Sequence, residues 1–297
     1  MKMKNVLDKI ILILGRKTLL VPDKLYLSSV YYLTFGKRIN WKNPLSYNEK
    51  LQWLKVYNRK PEYTMMVDKY EVKKYVSNVI GEQYIIPTYA VWDKVEDIDF
   101  DSLPNSFVLK CTHNSTIGLC VCKNKNSINR EEVINNLRAG LQNNFYLNGR
   151  EWPYKNVKPR IIAEKYMEDE TGQLRDYKFF CFSGKVKALF IATDRNKGPH
   201  ETRFDFFDEH FNHLPFTNGH PNANVPPTKP ICFDEMINLA EKLSKGIPHV
   251  RIDFYEVNGK IYFGEITFFH WSGLMPFSPD SWDEKLGSWI ELPQNNS

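Results

Sequence analysis

Residues 250–267 have the sequence VRIDFYEVNGKIYFGEIT, and this stretch decides how the rest of the chain is interpreted. Two runs rich in β-branched and aromatic residues flank Asn258-Gly259, a dipeptide typical of two-residue β-hairpin turns. Such a hairpin places Asp253 beside Glu265. Two adjacent carboxylates repel each other unless a cation or a proton lies between them. The stretch therefore predicts a pair of strands that present two carboxylates to a cation.

Mg²⁺ is the cation that this pair suits, because it binds carboxylate oxygens together with nucleotide phosphates. Arg251 lies two residues before Asp253, hence on the same face of the strand, and adds positive charge for a phosphoryl group. The alternative is a structural cluster in which both acids are paired with basic side chains. The spacing favours the metal site.

A second segment, Phe107–Gly118 (FVLKCTHNSTIG), predicts a strand, a turn of small residues and a further strand. Backbone N–H groups in such a turn, together with the hydroxyls of Ser115 and Thr116, can cradle phosphates. Lys110 at the end of the strand can neutralise their charge. An ordinary polar hairpin remains the alternative reading of this segment.

Two further segments carry polar residues on predicted strands. The run Ile161–Met167 (IIAEKYM) can pair its backbone edge with an adenine while Glu164 accepts from the exocyclic amine; its alternative is an edge strand with surface charges. Asp176 and Lys178 lie two apart, hence on one face. They can hold a ribose hydroxyl and a phosphate or acyl oxygen, or can simply form an ion pair.

The chain divides into two predicted regions, a helical one at residues 1–80 and a strand-rich one at residues 81–297. Ser46 and Glu49 form a capping box, and Asp68 with Glu71 repeats the pattern for a helix ending at Gly81. Seven strands are predicted: Phe107–Thr112, Gly118–Lys123, Arg160–Met167, Tyr177–Phe182, Lys185–Thr193, Val250–Val257 and Lys260–Thr267. Turns at Ser183-Gly184 and Asn258-Gly259 predict largely antiparallel sheets.

The segments between these strands are predicted to contain two helices and one long irregular stretch. Helices are predicted over Asn129–Tyr146 and Phe233–Lys245 from their apolar spacing. The stretch Asn196–Pro230, which holds six prolines and four histidines, is expected to be an irregular segment on the substrate side. Strands in runs with helices between them favour the α+β class.

Composition excludes several classes. A chain of 297 residues, 42% hydrophobic and 25% charged, is an ordinary globular mixture rather than a disordered or fibrous protein. The formal net charge of +5 is too small to argue for nucleic acid as a partner. Five cysteines, an odd number without regular spacing, argue against a disulfide framework and for reduced thiols in the cytoplasm.

The motifs together resemble the ATP-grasp fold, and more closely its TupA-like branch, which is linked with teichuronopeptide and capsular polysaccharide synthesis. The resemblance covers the chain from about residue 20 onward, with the motifs in the family's order. The phrases that carry it are Tyr47–Leu54 (YNEKLQWL), Phe107–Lys110 (FVLK), Arg150–Trp152 (REW), Asp176–Lys178 (DYK), Arg251–Tyr255 (RIDFY) and Phe263–Thr267 (FGEIT) followed by Gly273.

The resemblance implies specific roles. Lys110 and Lys178 would contact ATP phosphates, Glu164, Lys165 and Met167 would border the adenine, and Asp176 would face the ribose. Asp253 and Glu265 would hold Mg²⁺, and Arg251 with Lys178 would act at the transferred phosphoryl group. Thr267 stands where many relatives have asparagine as a metal ligand. Two further departures are the glycine-poor loop after Lys110 and the segment Phe268–Ser272 in place of a proline-containing turn.

In function, the resemblance implies an ATP- and Mg²⁺-dependent carboxylate–amine ligase. Its substrates would be an acidic sugar or amino acid and an amine acceptor, within bacterial surface (capsular, exo- or teichuronic) polysaccharide synthesis. Six aromatic residues of the N-terminal third could form a sugar platform, with packing in the core as the alternative: Tyr26, Tyr31, Tyr32, Trp41, Trp53 and Tyr57.

Two other functions remain open on the sequence. A glycosyltransferase that uses a nucleotide sugar would place its metal at an Asp-x-Asp motif, here Asp97-Ile-Asp99 or Asp99-Phe-Asp101. A non-catalytic polysaccharide-binding protein would not need basic and acidic residues that converge on one cleft.

The N-terminal run Val6–Leu14 (VLDKIILIL) is too short to span a bilayer, which takes about 20 apolar residues. It predicts a helix that packs on the core. The alternative is peripheral contact with the inner face of a membrane, supported by Lys2, Lys4, Arg16 and Lys17. We expect a cytoplasmic protein on either interpretation.

Overall fold

The structure is a computed structural model that describes residues 2–115, 117–169, 172, 174–195, 198 and 200–294. The helices that it describes are α1 Lys2–Lys17, α2 Asp23–Phe35, α3 Tyr47–Tyr57, α4 Glu62–Val67, α5 Val72–Ile80, α6 Arg130–Gln142, α7 Tyr146–Gly149, α8 Phe233–Leu243 and α9 Ser281–Ser288. The strands are β1 Thr88–Trp92, β2 Phe107–Cys111, β3 Leu119–Cys122, β4 Ile161–Lys165, β5 Asp176–Phe182, β6 Lys185–Thr193, β7 Arg203–Asp208, β8 Thr217–Asn218, β9 His249–Val257, β10 Lys260–Thr267 and β11 Phe277–Ser278.

The N-terminal region is helical, as the sequence predicts. The Ser46 hydroxyl accepts a hydrogen bond from the Glu49 backbone N–H, and the Glu49 carboxylate accepts one from the Ser46 backbone N–H. The predicted capping box therefore begins α3. Asp68 acts differently: its carboxylate accepts from the N–H groups of Tyr70 and Glu71, and α5 begins only at Val72. This helix ends before Gly81, whose φ of 115° is a backbone conformation that glycine adopts more readily than other residues.

Two antiparallel sheets make up the strand-rich region. The smaller has the order β1-β4-β2-β3, and the larger has the order β10-β9-β5-β6-β7. All their pairings are antiparallel, and the two predicted turns close the β5–β6 and β9–β10 hairpins through positive φ angles at Ser183-Gly184 and Asn258-Gly259. The predicted α+β class is confirmed.

The expectation for Asn196–Pro230 was wrong in part. Arg203–Asp208 forms β7, the edge strand of the larger sheet, because Phe204, Phe206 and Phe207 bury their rings in the core. Thr217–Asn218 forms a short pair with Phe277–Ser278. Strand β1 was not predicted.

The main core lies against the larger sheet and includes residues from both sides of position 80. Tyr47, Leu51, Val67 and Val76 pack in the same cluster as Phe180 of β5. A smaller core lies under the other sheet. The boundary at residue 80 stays a prediction, and α3–α5 share a core with the sheet that follows them.

Two further expectations concern cysteines and membranes. All five cysteines are free thiols in the structure. None of the helices in the described ranges has the length and apolar character needed to cross a bilayer.

Candidate functional site

The β9–β10 hairpin brings the predicted carboxylates together. Asp253 lies directly opposite Glu265, and Arg251 lies opposite Thr267. The register shifts between Phe263 and Glu265, where a side chain on Gly264 would come within 3.1 Å of the Asp253 carbonyl oxygen. The glycine therefore lets the two strands approach closely at the point where the carboxylates meet.

Arg251 binds the carboxylates of both Asp253 and Glu265. Its Nε and Nη2 donate to the Asp253 carboxylate at 2.7 and 2.9 Å, and Nη2 also lies 3.4 Å from Glu265 Oε1 and 3.1 Å from the Thr267 hydroxyl. The guanidinium is buried, and such a bidentate geometry is the strong form of this ion pair. Arg251 is thus a fixed cation that orients the carboxylates of Asp253 and Glu265.

A neutral histidine completes the support of Arg251. Burial lowers the pKa of His270 well below its ordinary value, and the nearby Arg251 charge adds to the effect. Its Nδ1 therefore accepts from Arg251 Nη1 at 2.8 Å, while Nε2–H donates to the Asn218 side-chain oxygen at 3.0 Å. The Asn218 amide donates in turn to the carbonyls of Met275 and Pro276, which fixes its orientation.

Strand β5 adds Lys178 and Asp176 to the hairpin. Lys178 pairs with Asp253 across the sheet, and its ammonium donates to the Asp253 carboxylate. The same ammonium lies 3.5 Å from Asp176, which also binds Arg195. The prediction that Asp176 and Lys178 share a face is confirmed.

The smaller sheet contributes Lys110 and Glu164. The Glu164 carboxylate is buried and binds both Lys110 and Lys73, the latter at 2.5 Å. Burial would raise the pKa of Glu164, but the two lysines outweigh it and lower the pKa. Both carboxylate oxygens of Glu164 are thus bound by lysines, so the predicted contact with an adenine amine stays a prediction.

Lys69 connects the loop after β2 with the hairpin. Its ammonium donates to the Asn114 carbonyl at 2.8 Å and lies 3.6 Å from Glu265 Oε2. Ser115 of this loop is exposed, and Thr116 lies outside the described residues. The loop backbone is thereby tied to the carboxylate that it faces.

These side chains converge on one cavity between the two sheets, of about 480 Å³, which we call the inter-sheet pocket. The predicted site residues that line it are Lys110, Ser115, Glu164, Lys165, Met167, Asp176, Lys178 and Glu265. Arg251, Asp253 and Thr267 do not line it and form the layer of contacts beneath Glu265 and Lys178. The structure therefore brings together the segments that the sequence singled out.

Sequence reasoning missed several lining residues. Lys69, Tyr166, Arg195 and Tyr255 all face the inter-sheet pocket. Lys69 lies next to Asp68, which was noticed only as a helix cap, and no spacing rule connects it with Glu265 almost 200 positions later. The basic side chains of residues 62–80 were the only feature of the sequence that could have pointed to Lys69.

The charges of the pocket suit a polyanion. Lys69, Lys110 and Lys178 surround a Glu265 side chain that is about one-third exposed. Burial would raise the pKa of Glu265, but these lysines and Arg251 lower it to about 2. Glu265 is therefore ionised at neutral pH, and its negative charge is balanced by the surrounding cations.

The Asp-x-Asp residues lie elsewhere. Asp97, Asp99 and Asp101 belong to the turns between β1 and β2, and Asp101 pairs with Arg130 at 2.7 Å in an exposed contact. None of the three lines the inter-sheet pocket. Within the described ranges, no group of three or more His, Cys, Asp or Glu side chains surrounds a common metal position.

A family model described as TupA-like ATPgrasp matches residues 49–291. The chain belongs to the TupA-like ATP-grasp family. The match confirms the family and the fold that the motifs predicted, and it places this TupA-like chain among the ATP-grasp enzymes. It begins within α3, so most of the residues of α3–α5 belong to the matched region.

Solved structures similar to this TupA-like chain include several ligases of low sequence identity. D-alanine–D-alanine ligase from Helicobacter pylori is 14% identical, with 82% of this chain and 69% of that chain covered at a TM-score of 0.48. The Bacillus anthracis enzyme, complexed with ATP, is 14% identical over 77% and 68% at 0.39. The ligase PsnB, complexed with its minimal precursor, Mg and ADP, is 11% identical over 74% and 57% at 0.37. No curated protein sequence matches the chain.

Proposed function

We propose that this TupA-like protein is an ATP- and Mg²⁺-dependent carboxylate–amine ligase that acts on an acidic sugar or amino acid. The observation that carries the proposal is the inter-sheet pocket, where lysines from both sheets surround the ionised Glu265. Phosphoryl transfer needs positioning and charge neutralisation more than covalent chemistry from the protein. The pocket supplies both.

In this proposal the nucleotide lies between the two sheets. Lys110 and Lys178 bind its phosphates, with Ser115 and Thr116 of the loop beside them. Glu164, Lys165 and Met167 border the adenine, and Asp176 faces the ribose. The lining of the inter-sheet pocket supports this placement for all of these residues except Thr116, which lies outside the described part of the chain.

The donor set fits Mg²⁺. Asp253, Glu265 and Thr267 offer oxygen atoms only, and the two carboxylates face each other in register. Lys178 and Arg251 already bind Asp253, so the cluster lacks the excess negative charge that would attract a lone divalent cation. We therefore expect Mg²⁺ to be held here together with nucleotide phosphates, where it would neutralise charge during phosphoryl transfer.

The reaction has two steps. A substrate carboxylate oxygen attacks the γ-phosphorus, the bond to the β–γ bridging oxygen breaks, and ADP leaves. An amine nitrogen then attacks the acyl carbon, phosphate leaves with the electron pair of the C–O bond, and the amine loses a proton to solvent or phosphate. Lys110 and Lys178 stabilise the phosphate charge in the first step, while Arg251 keeps the carboxylates of the hairpin in place.

The resemblance to the TupA-like branch suggests bacterial surface polysaccharide synthesis as the pathway, because acidic sugars carry the carboxylate that such a ligase activates. We propose a cytoplasmic site of action, where ATP is available. The two substrates are then an acidic sugar or amino acid and an amine acceptor.

The reaction is tested by measuring ADP release with panels of sugar acids and amino acids, with and without amines. We expect ADP release that requires both Mg²⁺ and an acid, and amide formation when an amine is added. Cleavage of a nucleotide sugar without ATP consumption would contradict the ligase and favour glycosyl transfer.

We also propose that α1 contacts an anionic membrane surface. Its inner face packs on α2, and a side chain on Gly15 would lie 2.2 Å from the Tyr26 ring. Its outer face leaves five apolar side chains between 47% and 60% exposed, at helical spacing: Val6, Leu7, Ile10, Ile13 and Leu14. Contiguous exposed apolar patches mark interaction surfaces.

The charges around this face favour an anionic bilayer as the partner. Lys9, Arg16 and Lys17 flank the apolar side chains, and each basic residue near an anionic leaflet contributes roughly 1 kcal/mol of attraction. The arrangement is that of an amphipathic helix in the plane of an interface.

Co-sedimentation with vesicles tests the contact. Wild-type protein is expected to bind phosphatidylglycerol-containing vesicles and not vesicles of phosphatidylcholine alone. Ile10→Glu is expected to abolish binding, whereas Ile231→Glu, at an isolated exposed position (89%), is a matched control that should not. Equal binding by both variants, or a dimer that Ile10→Glu dissociates, would contradict the membrane assignment.

A further inference from the structure

A second cavity, of about 530 Å³, lies on the N-terminal helices. Lys24, Lys42, Lys50, Trp41, Trp53 and Tyr57 form its walls, and we call it the aromatic–lysine pocket. It shares no lining residue with the inter-sheet pocket. Its volume falls in the range of about 300–1,000 Å³ that is common for small-molecule sites.

The pocket has positive charge without a matching carboxylate. No Asp or Glu lines it among the residues that the structure describes, and none of its three lysines forms a salt bridge there. The Lys50 ammonium donates to the Ile290 carbonyl at 2.8 Å, and burial lowers the pKa of Lys50. Asp23, next to Lys24 in sequence, is bound by Arg59 at 2.6 Å instead. An anionic ligand would supply the missing charge.

The aromatic rings are held in fixed positions. Trp41 donates through Nε1 to the Ser28 hydroxyl at 3.0 Å and stands nearly perpendicular to Tyr57, at 77°. Tyr57 packs against Trp53 with ring centroids 4.9 Å apart, and its hydroxyl accepts from Lys24 at 2.7 Å. Tyr57 is 37% exposed and Trp53 is buried, and the Lys24 ammonium lies 5.3 Å from the Trp41 ring centroid and 5.4 Å from that of Tyr57.

We propose that the aromatic–lysine pocket binds an acidic saccharide. A sugar ring presents apolar C–H groups that pack on Trp and Tyr rings, and its hydroxyls accept and donate at their polar edges. A carboxylate or phosphate on that ring meets the lysines. The site does not rest on the proposed reaction, because it lies outside the pocket where that reaction takes place.

Titration calorimetry with digalacturonate as the probe, and maltose as the matched neutral disaccharide, tests the site. Digalacturonate is expected to bind wild-type protein and maltose to bind much more weakly. Lys42→Glu, an exposed position, is expected to weaken digalacturonate binding about tenfold or more. Tyr57→Leu should weaken it about threefold to tenfold through loss of the ring.

Two matched variants control the result. Lys285→Glu changes an exposed lysine whose ammonium lies 4.1 Å from the Trp282 ring centroid, outside the aromatic–lysine pocket, and should leave the affinity unchanged. Lys110→Met, in the inter-sheet pocket, distinguishes the two cavities, since the proposal expects it to weaken digalacturonate binding less than Lys42→Glu does.

Four outcomes would overturn the proposal. These are an absence of digalacturonate binding, equal affinity for maltose, equal affinity for inorganic phosphate alone, or loss of binding in Lys110→Met but not in Lys42→Glu. The last would assign the saccharide to the inter-sheet pocket. Each result leaves the ligase proposal to its own test by ADP release.

Discussion

Replacing Glu265 with glutamine is expected to lower the rate of acid-dependent ADP release about 10²- to 10³-fold. The substitution keeps the shape of the side chain but removes the ionised oxygen that faces the inter-sheet pocket. With that charge absent, Lys69 loses its carboxylate partner, and the Mg²⁺ that we propose here would lose a ligand.

The measurement is kcat/KM for ADP release at saturating Mg²⁺, with thermal unfolding recorded in parallel. Because the Glu265 side chain is about one-third exposed, the variant should keep the wild-type fold. Glu256→Gln is a matched control, since Glu256 lies on the same hairpin outside the inter-sheet pocket. Activity within a factor of two of wild type in Glu265→Gln would remove this residue from the site.

Replacing Asp253 with asparagine is expected to destabilise the protein by about 3–5 kcal/mol, in addition to any loss of activity. Asp253 is fully buried, and its carboxylate is bound by Arg251 and Lys178. The neutral amide removes the nearest counter-charge of two buried cations, which keep only the longer contacts of Lys178 with Asp176 (3.5 Å) and of Arg251 with Glu265 (3.4 Å). This costs far more than the loss of an exposed ion pair.

Urea denaturation measures the effect as a fall in the free energy of unfolding. Adding Lys178→Met to Asp253→Asn should recover part of the loss, because the second substitution removes one of the two cations that the Asp253 carboxylate binds. A destabilisation below about 1 kcal/mol in the single variant would show that Arg251 and Lys178 are solvated rather than paired in solution.

The two carboxylates of the hairpin therefore differ as probes of function. The turn alone does not set their register, because a regular two-residue hairpin would pair Asp253 with Gly264. The register shift after Phe263 brings Glu265 opposite Asp253 and onto the same face. Burial decides the difference: Asp253 is enclosed by the sheet and by Arg251, while Glu265 lies at the pocket. Glu265 is the variant that tests chemistry without disturbing the fold.

Much of the site was predictable because it uses local patterns. The positions of Lys110, Asp176, Lys178 and Glu265 follow from strands that are short, rich in β-branched and aromatic residues, and closed by recognisable turns. The family resemblance added the roles expected of them around a nucleotide, and the lining of the inter-sheet pocket agrees with those roles.

The rest depends on contacts between distant positions. The approach of Lys69 to Glu265 and of Lys73 to Glu164 joins the helical region to both sheets, and no sequence period encodes it. The same holds for His270 and Asn218, which support Arg251 from a loop and a two-residue strand. The sequence shows where the charged residues are, but it does not show which residues they contact.

Strand β7 was missed for a different reason. The prolines and histidines around it give Asn196–Pro230 the composition of a loop, and they mask the run of phenylalanines at 204–207. Burial of those rings against β6 outweighs the turn-forming residues on either side. Averaging composition over such a long segment hides a strand of six residues.

The most direct test of the nucleotide site is titration calorimetry of wild-type protein and Lys110→Met with Mg-ATP, Mg²⁺ alone and a UDP-sugar. The assignment predicts that Mg-ATP binds the wild type, that Mg²⁺ alone and the UDP-sugar do not, and that Lys110→Met weakens Mg-ATP binding about tenfold or more. Binding of the UDP-sugar in place of Mg-ATP, or unchanged Mg-ATP affinity in Lys110→Met, would contradict it.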